Sequence, residues 1–174
     1  MEIKSYSQNH VDAVINGVDH SFKWRLIGFY GHPETHRRYE SWHLLAFLNN
    51  QLHLPWLCLG DFNEILSNTE KSRGAIRSQK QMDSFRKVVD YCAFQELSYC
   101  GSDFTWCNMQ GGGGENIIYL RLDKAFTNLE WVDKFGEMKV HHLPDSTFDH
   151  SALLVSTSVL QRQTRAKQFH FEAM

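Results

Sequence analysis

Asp61 and Asn63 stand directly after the apolar run 56–59, and they are the polar side chains best placed for chemistry. The apolar run predicts a buried strand, so its end would hold a carboxylate and a carboxamide at the edge of the core. Two further clusters lie far downstream, at Asp123 and at Asp149-His150. Three separated clusters of Asp, Asn and His indicate a site that cleaves phosphodiester bonds.

Hydrolysis of a phosphodiester needs a positioned water, a group that activates it, donors for the phosphate oxygens and usually a divalent cation. Asp61 is a candidate for activating or orienting the water. Asn63, on the same face of a locally extended chain, could donate its amide to a phosphate oxygen. His150 can act as acid, base or cationic stabiliser, with Asp123 fixing its tautomer. Asp149 is a candidate ligand for Mg²⁺, which prefers carboxylate oxygens.

Each of these motifs also has an ordinary structural interpretation. Asp and Asn are common turn residues, so the Gly-Asp-Phe-Asn sequence at 60–63 carries little weight by itself. Arg121 and Asp123 can simply pair with each other in a strand. The Asp-His dipeptide at 149–150 is equally weak in isolation, and only the combination of motifs favours a functional site.

The composition restricts the class of protein. The 174 residues correspond to one domain, and 42% hydrophobic and 13% aromatic residues suffice for a packed core. A net charge of -2 argues against a strongly basic surface, so any contact with nucleic acid must be local. The basic stretches 71–87 and 162–167 are interpreted as a solvated helix face and a solvated tail.

The sequence argues against a zinc site, a transmembrane segment and a P-loop. The four cysteines form no C-x-x-C pair, which argues against zinc and favours free thiols in the cytoplasm or the nucleus. No apolar run approaches transmembrane length, and the first residues lack the pattern of a signal peptide. The glycines 111–114 lack the Lys-Ser/Thr of a P-loop and predict a hairpin tip. His141 and His142 are adjacent on a predicted strand and point to opposite faces. No small-molecule cofactor is expected.

The pattern of apolar residues predicts an α+β sandwich. Helical spacing over 39–52 and 82–92 predicts two helices with core-facing stripes; a capping box over 78–81 precedes the second. Asn128 is expected to cap a third, short helix that ends at Phe135. The stretch 64–77 is predicted to be a polar loop. Strands are predicted over 2–7, 11–15, 22–30, 56–59, 96–99, 104–107, 117–126, 138–143 and 152–155.

Five motifs occur in a fixed order: Tyr30-Gly31, 60–63, 101–106, 121–123 and 149–151. In this order they resemble the endonuclease/exonuclease/phosphatase superfamily, which has the DNase I-like fold. Within it, the chain looks most like the endonuclease domain of plant-type LINE retrotransposon polyproteins. The segment 169–174 resembles the stretch that leads from that domain toward reverse transcriptase.

The resemblance implies a four-layer αββα sandwich and dependence on Mg²⁺. By position, it assigns water activation to Asp61 and binding of the scissile phosphate to Asn63 and Tyr30. Asp123 would orient His150, and Asp149 would lie near the metal. DNA is the implied substrate. The residue before Asp149 is Phe148, where the family usually has Ser.

The resemblance also implies that the first strands and helix of the fold are missing, and with them an Asn and a metal-binding Glu. We therefore expect a partial domain over 1–156, a poorly ordered basic tail over 157–174, and weak or absent nuclease activity. An uncovered sheet edge would then be open to oligomerisation. Two alternatives stay open: a non-catalytic remnant that binds DNA or a protein partner, and a phosphatase of small molecules or lipids.

Overall fold

The computed structural model describes residues 1–17, 22–108, 117–136, 138–143 and 148–156. The helices are α1 (Arg38–Asn49), α2 (Gln79–Tyr91) and α3 (Leu129–Phe135), with single 3-10 turns at Thr35–Arg37 and Asn68–Glu70. The strands are β1 (Glu2–Tyr6), β2 (His10–Asn16), β3 (Lys23–Tyr30), β4 (Trp56–Asp61), β5 (Lys71–Ser72), β6 (Gln95–Glu96), β7 (Ser98–Cys100), β8 (Trp106–Cys107), β9 (Tyr119–Leu120), β10 (Asp123–Thr127), β11 (Lys139–Leu143) and β12 (Ala152–Val155).

One large sheet organises the described part of the chain, with the strand order β1-β2-β3-β4-β10-β6. β3 and β4 are parallel neighbours joined by a crossover that contains α1, and β10 runs antiparallel to β4. Two three-stranded sheets accompany it, with the orders β12-β11-β7 and β5-β9-β8. The carboxyl ends of β3 and β4 therefore lie side by side at one edge of the large sheet.

Apolar residues fill both faces of the large sheet. On one face, α1 and α2 cover a core in which Trp42 stacks on Phe85 and Phe62 meets Phe126 edge to face. On the other face, Trp131 of α3 packs with side chains of the large sheet and of β11. Burying such side chains contributes about 1.5–3 kcal/mol each. Three sheets and three helices among the described residues confirm the predicted α+β sandwich.

The predicted single strand over 117–126 is wrong in its continuity. Its first part, β9, pairs with β5 and β8, whereas its second part, β10, pairs with β4 and β6. The chain changes sheets at residues 121–122, where the backbone N–H of Leu122 donates to the Thr105 hydroxyl instead of to a neighbouring strand. An uninterrupted run of strand-forming residues cannot reveal such a change, because it does not show which strand each half pairs with.

The prediction of a polar loop over 64–77 is also wrong. Glu64, Ile65 and Glu70 are buried, and the stretch contains the short strand β5. The two glutamates are tolerated inside because cations lie against them. Arg77, from the basic stretch interpreted as solvated, is one of these cations, with its Nε 3.0 Å from a Glu64 carboxylate oxygen.

The helix ends match the predictions unevenly. Asn128 caps α3 as expected, since its side-chain oxygen accepts from the backbone N–H of Trp131. The predicted capping box is wrong: Ser78 holds the N-cap position, but its side chain makes no capping hydrogen bond. Tyr39 was expected in the core stripe of α1, yet it is 57% exposed, whereas Trp42 of the same stripe is buried.

Several smaller predictions have clear outcomes. His142 is buried while His141 is exposed, as adjacent strand residues on opposite faces should be. The four cysteines are free thiols. Among the described residues, no helix combines the length and the apolar character that crossing a bilayer requires. The hairpin tip at 111–114 and the tail 157–174 lie outside the described residues.

Candidate functional site

Neighbouring strands bring three of the predicted site residues together at one edge of the large sheet. Asp61 is the last residue of β4, and Asp123 is the first residue of β10 and its direct partner in the antiparallel register. Tyr30, the last residue of β3, pairs with Asp61 from the other side. The register therefore places two carboxylates opposite each other although they are 62 positions apart in sequence.

Two glycines let the backbone come close enough to form this edge. Gly60 has a φ of 144°, and a Cβ there would lie 2.0 Å from the carbonyl oxygen of Phe29. Gly31 would place a Cβ 2.4 Å from the carbonyl oxygen of Phe62. Its backbone N–H donates to the Asp61 carbonyl at 2.7 Å. Larger residues at either position would push the strand ends apart and displace the Asp61 carboxylate.

Asn63 does not lie on an extended chain, which corrects the local geometry predicted from sequence. Its φ is 55°, a left-handed conformation that Asn tolerates better than most residues. Its backbone N–H donates to one Asp61 carboxylate oxygen at 2.8 Å, and its amide donates to the other at 2.7 Å and to the Gly31 carbonyl at 2.9 Å. Asn63 thus fixes the Asp61 carboxylate, and both hydrogens of its amide are engaged.

His150 completes the arrangement. Its Nδ1 lies 2.9 Å from a carboxylate oxygen of Asp123, and its Nε2 lies 3.9 Å from a carboxylate oxygen of Asp61. An N–H on Nδ1 donates to Asp123, which turns Nε2 toward Asp61. The contact expected between Asp123 and His150 is therefore present, while the catalytic roles of both residues remain predictions.

The electrostatics of this group differ from those of isolated side chains. Burial and the negative charge of Asp123 raise the pKa of Asp61 to about 6, although the backbone N–H of Asn63 acts in the opposite direction. Burial by itself would lower the pKa of His150. The hydrogen bond and charge of Asp123, with the charges of Asp61 and Asp149, outweigh burial and raise it. The charges around His150 therefore stabilise its imidazolium form relative to an isolated histidine.

Asp149 and Tyr30 are not among the potential metal ligands, although Tyr30 is the strand partner of Asp61. The Asp149 side chain is exposed and accepts from the Trp106 indole N–H at 3.1 Å. Tyr30 is 47% exposed, and its backbone is tied to Asn9. Neither residue contributes to the compact group of potential metal ligands, so their predicted roles as metal ligand and phosphate contact remain predictions.

Thr105 is the positioning residue that sequence analysis missed. It is 1% exposed, and its hydroxyl accepts from the backbone N–H groups of Leu122 and Asp123 at 3.0 Å each. Its carbonyl accepts from the Ser151 N–H at 2.7 Å, immediately after His150. One residue thus joins the strand that carries Asp123 to the segment that carries His150. Its motif 101–106 was noted in sequence, but no spacing rule indicates this role.

A second charged group lies behind the site, on the face of β10 that α1 and α2 cover. Lys124 donates to a Glu70 carboxylate oxygen at 2.6 Å and lies 3.5 Å from Glu96. Arg121 contacts the same two glutamates, and its guanidinium also lies over the Tyr99 ring. The alternative that Arg121 pairs with Asp123 is therefore wrong, because the change of sheet sends Arg121 to Glu70 and Glu96.

The donor set at the site fits a divalent cation. The carboxylates of Asp61 and Asp123 and the imidazole of His150 offer ligand atoms within 4.8 Å of one another. A cation would offset the repulsion between the two carboxylates, the repulsion that contributes to the raised pKa of Asp61. Carboxylate oxygens suit Mg²⁺, and the added imidazole also suits transition metals.

Comparison with solved structures finds the same fold in several nucleases. The endonuclease domain of TRAS1, a telomere-specific non-LTR retrotransposon, aligns with a TM-score of 0.60 at 17% identity, over 88% of this chain and 65% of that one. The 3'-5' exonuclease NExo of Neisseria meningitidis aligns with a TM-score of 0.64 at 16% identity, over 88% and 66%. An AP endonuclease of Archaeoglobus fulgidus gives 0.64 at 12% identity, over 91% and 69%.

These identities establish the fold, and the chain spans only about two thirds of the length of these structures. Among curated proteins, none matches the chain in sequence. The model of the endonuclease/exonuclease/phosphatase family, in contrast, matches residues 4–145, which is most of the chain. The chain therefore belongs to the endonuclease/exonuclease/phosphatase family.

Proposed function

We propose that this chain hydrolyses phosphodiester bonds in DNA, slowly, at the site formed by Asp61, Asp123 and His150. The observation that carries the proposal is the relay between these side chains: Asp123 holds His150 Nδ1 at 2.9 Å, and Nε2 lies 3.9 Å from Asp61. A carboxylate and an imidazole that face one point can supply a phosphate bound beside them with a proton acceptor and a proton donor.

Asp61 has the properties of a base that activates water. With a pKa of about 6, the Asp61 carboxyl group is mostly ionised at neutral pH, yet its carboxylate is a better proton acceptor than that of an ordinary Asp. It takes a proton from water while the water oxygen forms a bond to phosphorus. The two hydrogen bonds from Asn63 keep the carboxylate from rotating away.

His150 has the properties of the matching acid. Its raised pKa increases the share of rings that carry a proton on Nε2, and such a ring can donate that proton to the leaving oxygen as the P–O bond breaks. Asp123 balances the charge of the imidazolium and fixes its orientation. We infer that Mg²⁺, held by the carboxylates of Asp61 and Asp123, supplies charge stabilisation when bound.

The small number of hydrogen-bond donors for the phosphate oxygens limits the rate in this proposal. Asn63 was expected to bind the scissile phosphate, but both hydrogens of its amide are engaged by Asp61 and Gly31. Stabilisation of the phosphorane then falls to His150 and the cation. The same observation favours the second candidate function, non-catalytic binding of DNA, in which the site holds a phosphate without cleaving it.

We further propose that the chain derives from a LINE retrotransposon. The support is the order of its five motifs and the segment 169–174. The likeness to the TRAS1 domain, at 17% identity, adds agreement in fold. Sequencing of the flanking DNA tests the origin: a reverse transcriptase reading frame downstream supports it, and unrelated coding sequence contradicts it.

Nicking of supercoiled plasmid by the purified chain with Mg²⁺ tests the activity. We expect slow nicking that falls about 10²–10⁴-fold in Asp61→Ala and in His150→Ala, because each removes one proton-transfer group. Asp133→Ala, an exposed carboxylate on α3, is the matched control. Plasmid binding without any nicking would favour the non-catalytic function, and nicking that survives both substitutions would refute the site.

A further inference from the structure

A groove of about 380 Å³ lies between α1 and α2, on the helix side of the large sheet. Arg38, Tyr39 and Trp42 line it from α1, and Lys80 lines it from α2. Glu64 at its floor directly follows Asn63, so the groove begins one residue beyond the candidate site. Its volume lies near the lower end of the range for small-ligand pockets, about 300–1,000 Å³.

The ion pairs behind the floor of the groove carry more positive than negative charge. Glu64 is fully buried, and two arginines share it: Arg38 at 2.6 Å and Arg77 at 3.0 Å. One carboxylate therefore faces two guanidinium groups, and the exposed Lys80 adds a third cation at the rim. In a chain with a net charge of -2, this local excess of positive charge suits an anionic ligand.

Tyr39 gives the groove an exposed aromatic ring. It is 57% exposed although the spacing of α1 would place it in the core stripe, and its ring meets His43 edge to face. An exposed ring beside cations is the combination that single-stranded nucleic acids use, since bases stack on aromatic faces while cations follow the phosphates.

The wall of the groove is linked to the loop beside the candidate site. The Arg38 guanidinium donates to the carbonyls of His32 and Pro33, in the segment that directly follows Tyr30 and Gly31. The same residue thus forms the groove wall and holds the loop beside Asp61.

We propose that the groove binds one nucleotide of a single nucleic-acid strand, adjoining the phosphodiester held at Asp61. Its base stacks on Tyr39, and its phosphate lies against Lys80 and the surplus charge of Arg38 and Arg77. The choice of a nucleic-acid ligand rests on the proposed function, but binding in the groove does not require that the chain cleaves the ligand.

Fluorescence anisotropy of labelled dT12 with the Asp61→Asn chain tests the proposal without cleavage. We expect Tyr39→Ala to weaken binding about tenfold, since stacking on an aromatic ring is worth about 1–3 kcal/mol per base. Lys80→Gln should lower the steepness of the salt dependence by about 0.7, the share of one phosphate contact. Tyr91→Ala, also 57% exposed, and Lys87→Gln, also on α2, are the matched controls.

The inference and the proposed function fail separately. Loss of dT12 affinity in Tyr39→Ala and Lys80→Gln, with both controls unchanged, supports the groove even if the chain with an intact Asp61 never nicks plasmid. Equal losses in the variants and their controls, or no loss in the variants, overturn the groove even if nicking is robust.

Discussion

Two charged clusters lie back to back on β10, and they differ in balance. Lys124 points to the helix side, where it and Arg121 face the carboxylates of Glu70 and Glu96. Its neighbour Asp123 faces the opposite way, toward another carboxylate and one imidazole. The first cluster has two cations for two anions, and the second has two anions for one titratable ring.

The difference separates a structural cluster from a functional one. Lys124 is 1% exposed, and its paired charges hold β10 against the segment that contains Glu70. In the second cluster, burial and the charge of Asp123 raise the pKa of Asp61, and the surrounding carboxylates raise the pKa of His150 against the effect of burial. Perturbed pKa values in a partly open cluster are typical of sites that move protons. In the proposed function, adjacent residues on one strand therefore serve stability on one face and chemistry on the other.

Removing the buried cation should produce the larger loss of stability. We expect Lys124→Met to lower the free energy of unfolding by about 3–5 kcal/mol, because it leaves Arg121, among the described residues, as the one cation that faces the carboxylates of Glu70 and Glu96. Chemical denaturation measures the change, with Lys87→Met on the exposed face of α2 as the control. A loss below about 1 kcal/mol would contradict the structural role of Lys124. An altered His150 titration would show that the two clusters are not independent.

Thr105 offers a smaller and more local test of how the second cluster is held. Thr105→Val keeps the shape but removes the acceptor for the N–H groups of Leu122 and Asp123, at a cost of about 1–3 kcal/mol per unsatisfied group. Thr105→Ser should restore both stability and the His150 titration. If Val and Ser behave alike in denaturation and in NMR, the hydroxyl does not position Asp123.

The pH dependence of nicking should follow the charge imbalance. Activity should rise with pH as Asp61 ionises near about 6, and fall as His150 loses its proton at its raised pKa. Because the two groups interact, the limbs of the bell report the pair. A monotonic pH–rate profile between pH 5 and about 9 would argue against paired acid and base roles.

The stability of the site should change with pH in one direction. Both folded pKa values lie above their ordinary values of 3.8 for Asp61 and 6.5 for His150. Their stabilising contributions are therefore complete at low pH, and each is lost as pH rises through the folded pKa. Asp61→Asn should flatten the decline of the unfolding free energy around pH 6, as measured by denaturation at several pH values.

Most sheet elements and the main candidate residues could be predicted from the sequence, because the spacing of apolar residues and the polar residues at strand ends and helix caps indicate them directly. The run 56–59 and the Asp-x-Asn after it gave the end of β4, and Asn128 gave the start of α3. The pairing of Asp61 with Asp123 depends on the strand register, and the sequence analysis did not predict it. The contact between Asp123 and His150 was predicted, because an imidazole needs a carboxylate to fix its tautomer and because the resemblance implies the same pair.

Long-range contacts account for what sequence analysis missed. Nothing local distinguishes Thr105 from a surface threonine, since its role depends on Leu122 and Ser151 arriving from elsewhere. Glu64 and Glu70 look like loop residues until their distant cations are known. The left-handed backbone of Asn63 was missed because an Asp-x-Asn sequence fits both an extended chain and a tight turn.

NMR titration of the His150 imidazole tests most directly whether Asp61, Asp123 and His150 act as one charged unit. The account predicts a pKa above 6.5 in the unmodified chain, and a clear fall in both Asp123→Asn and Asp61→Asn, since each removes a negative charge that stabilises the imidazolium. A pKa at or below 6.5 that neither substitution moves would contradict it.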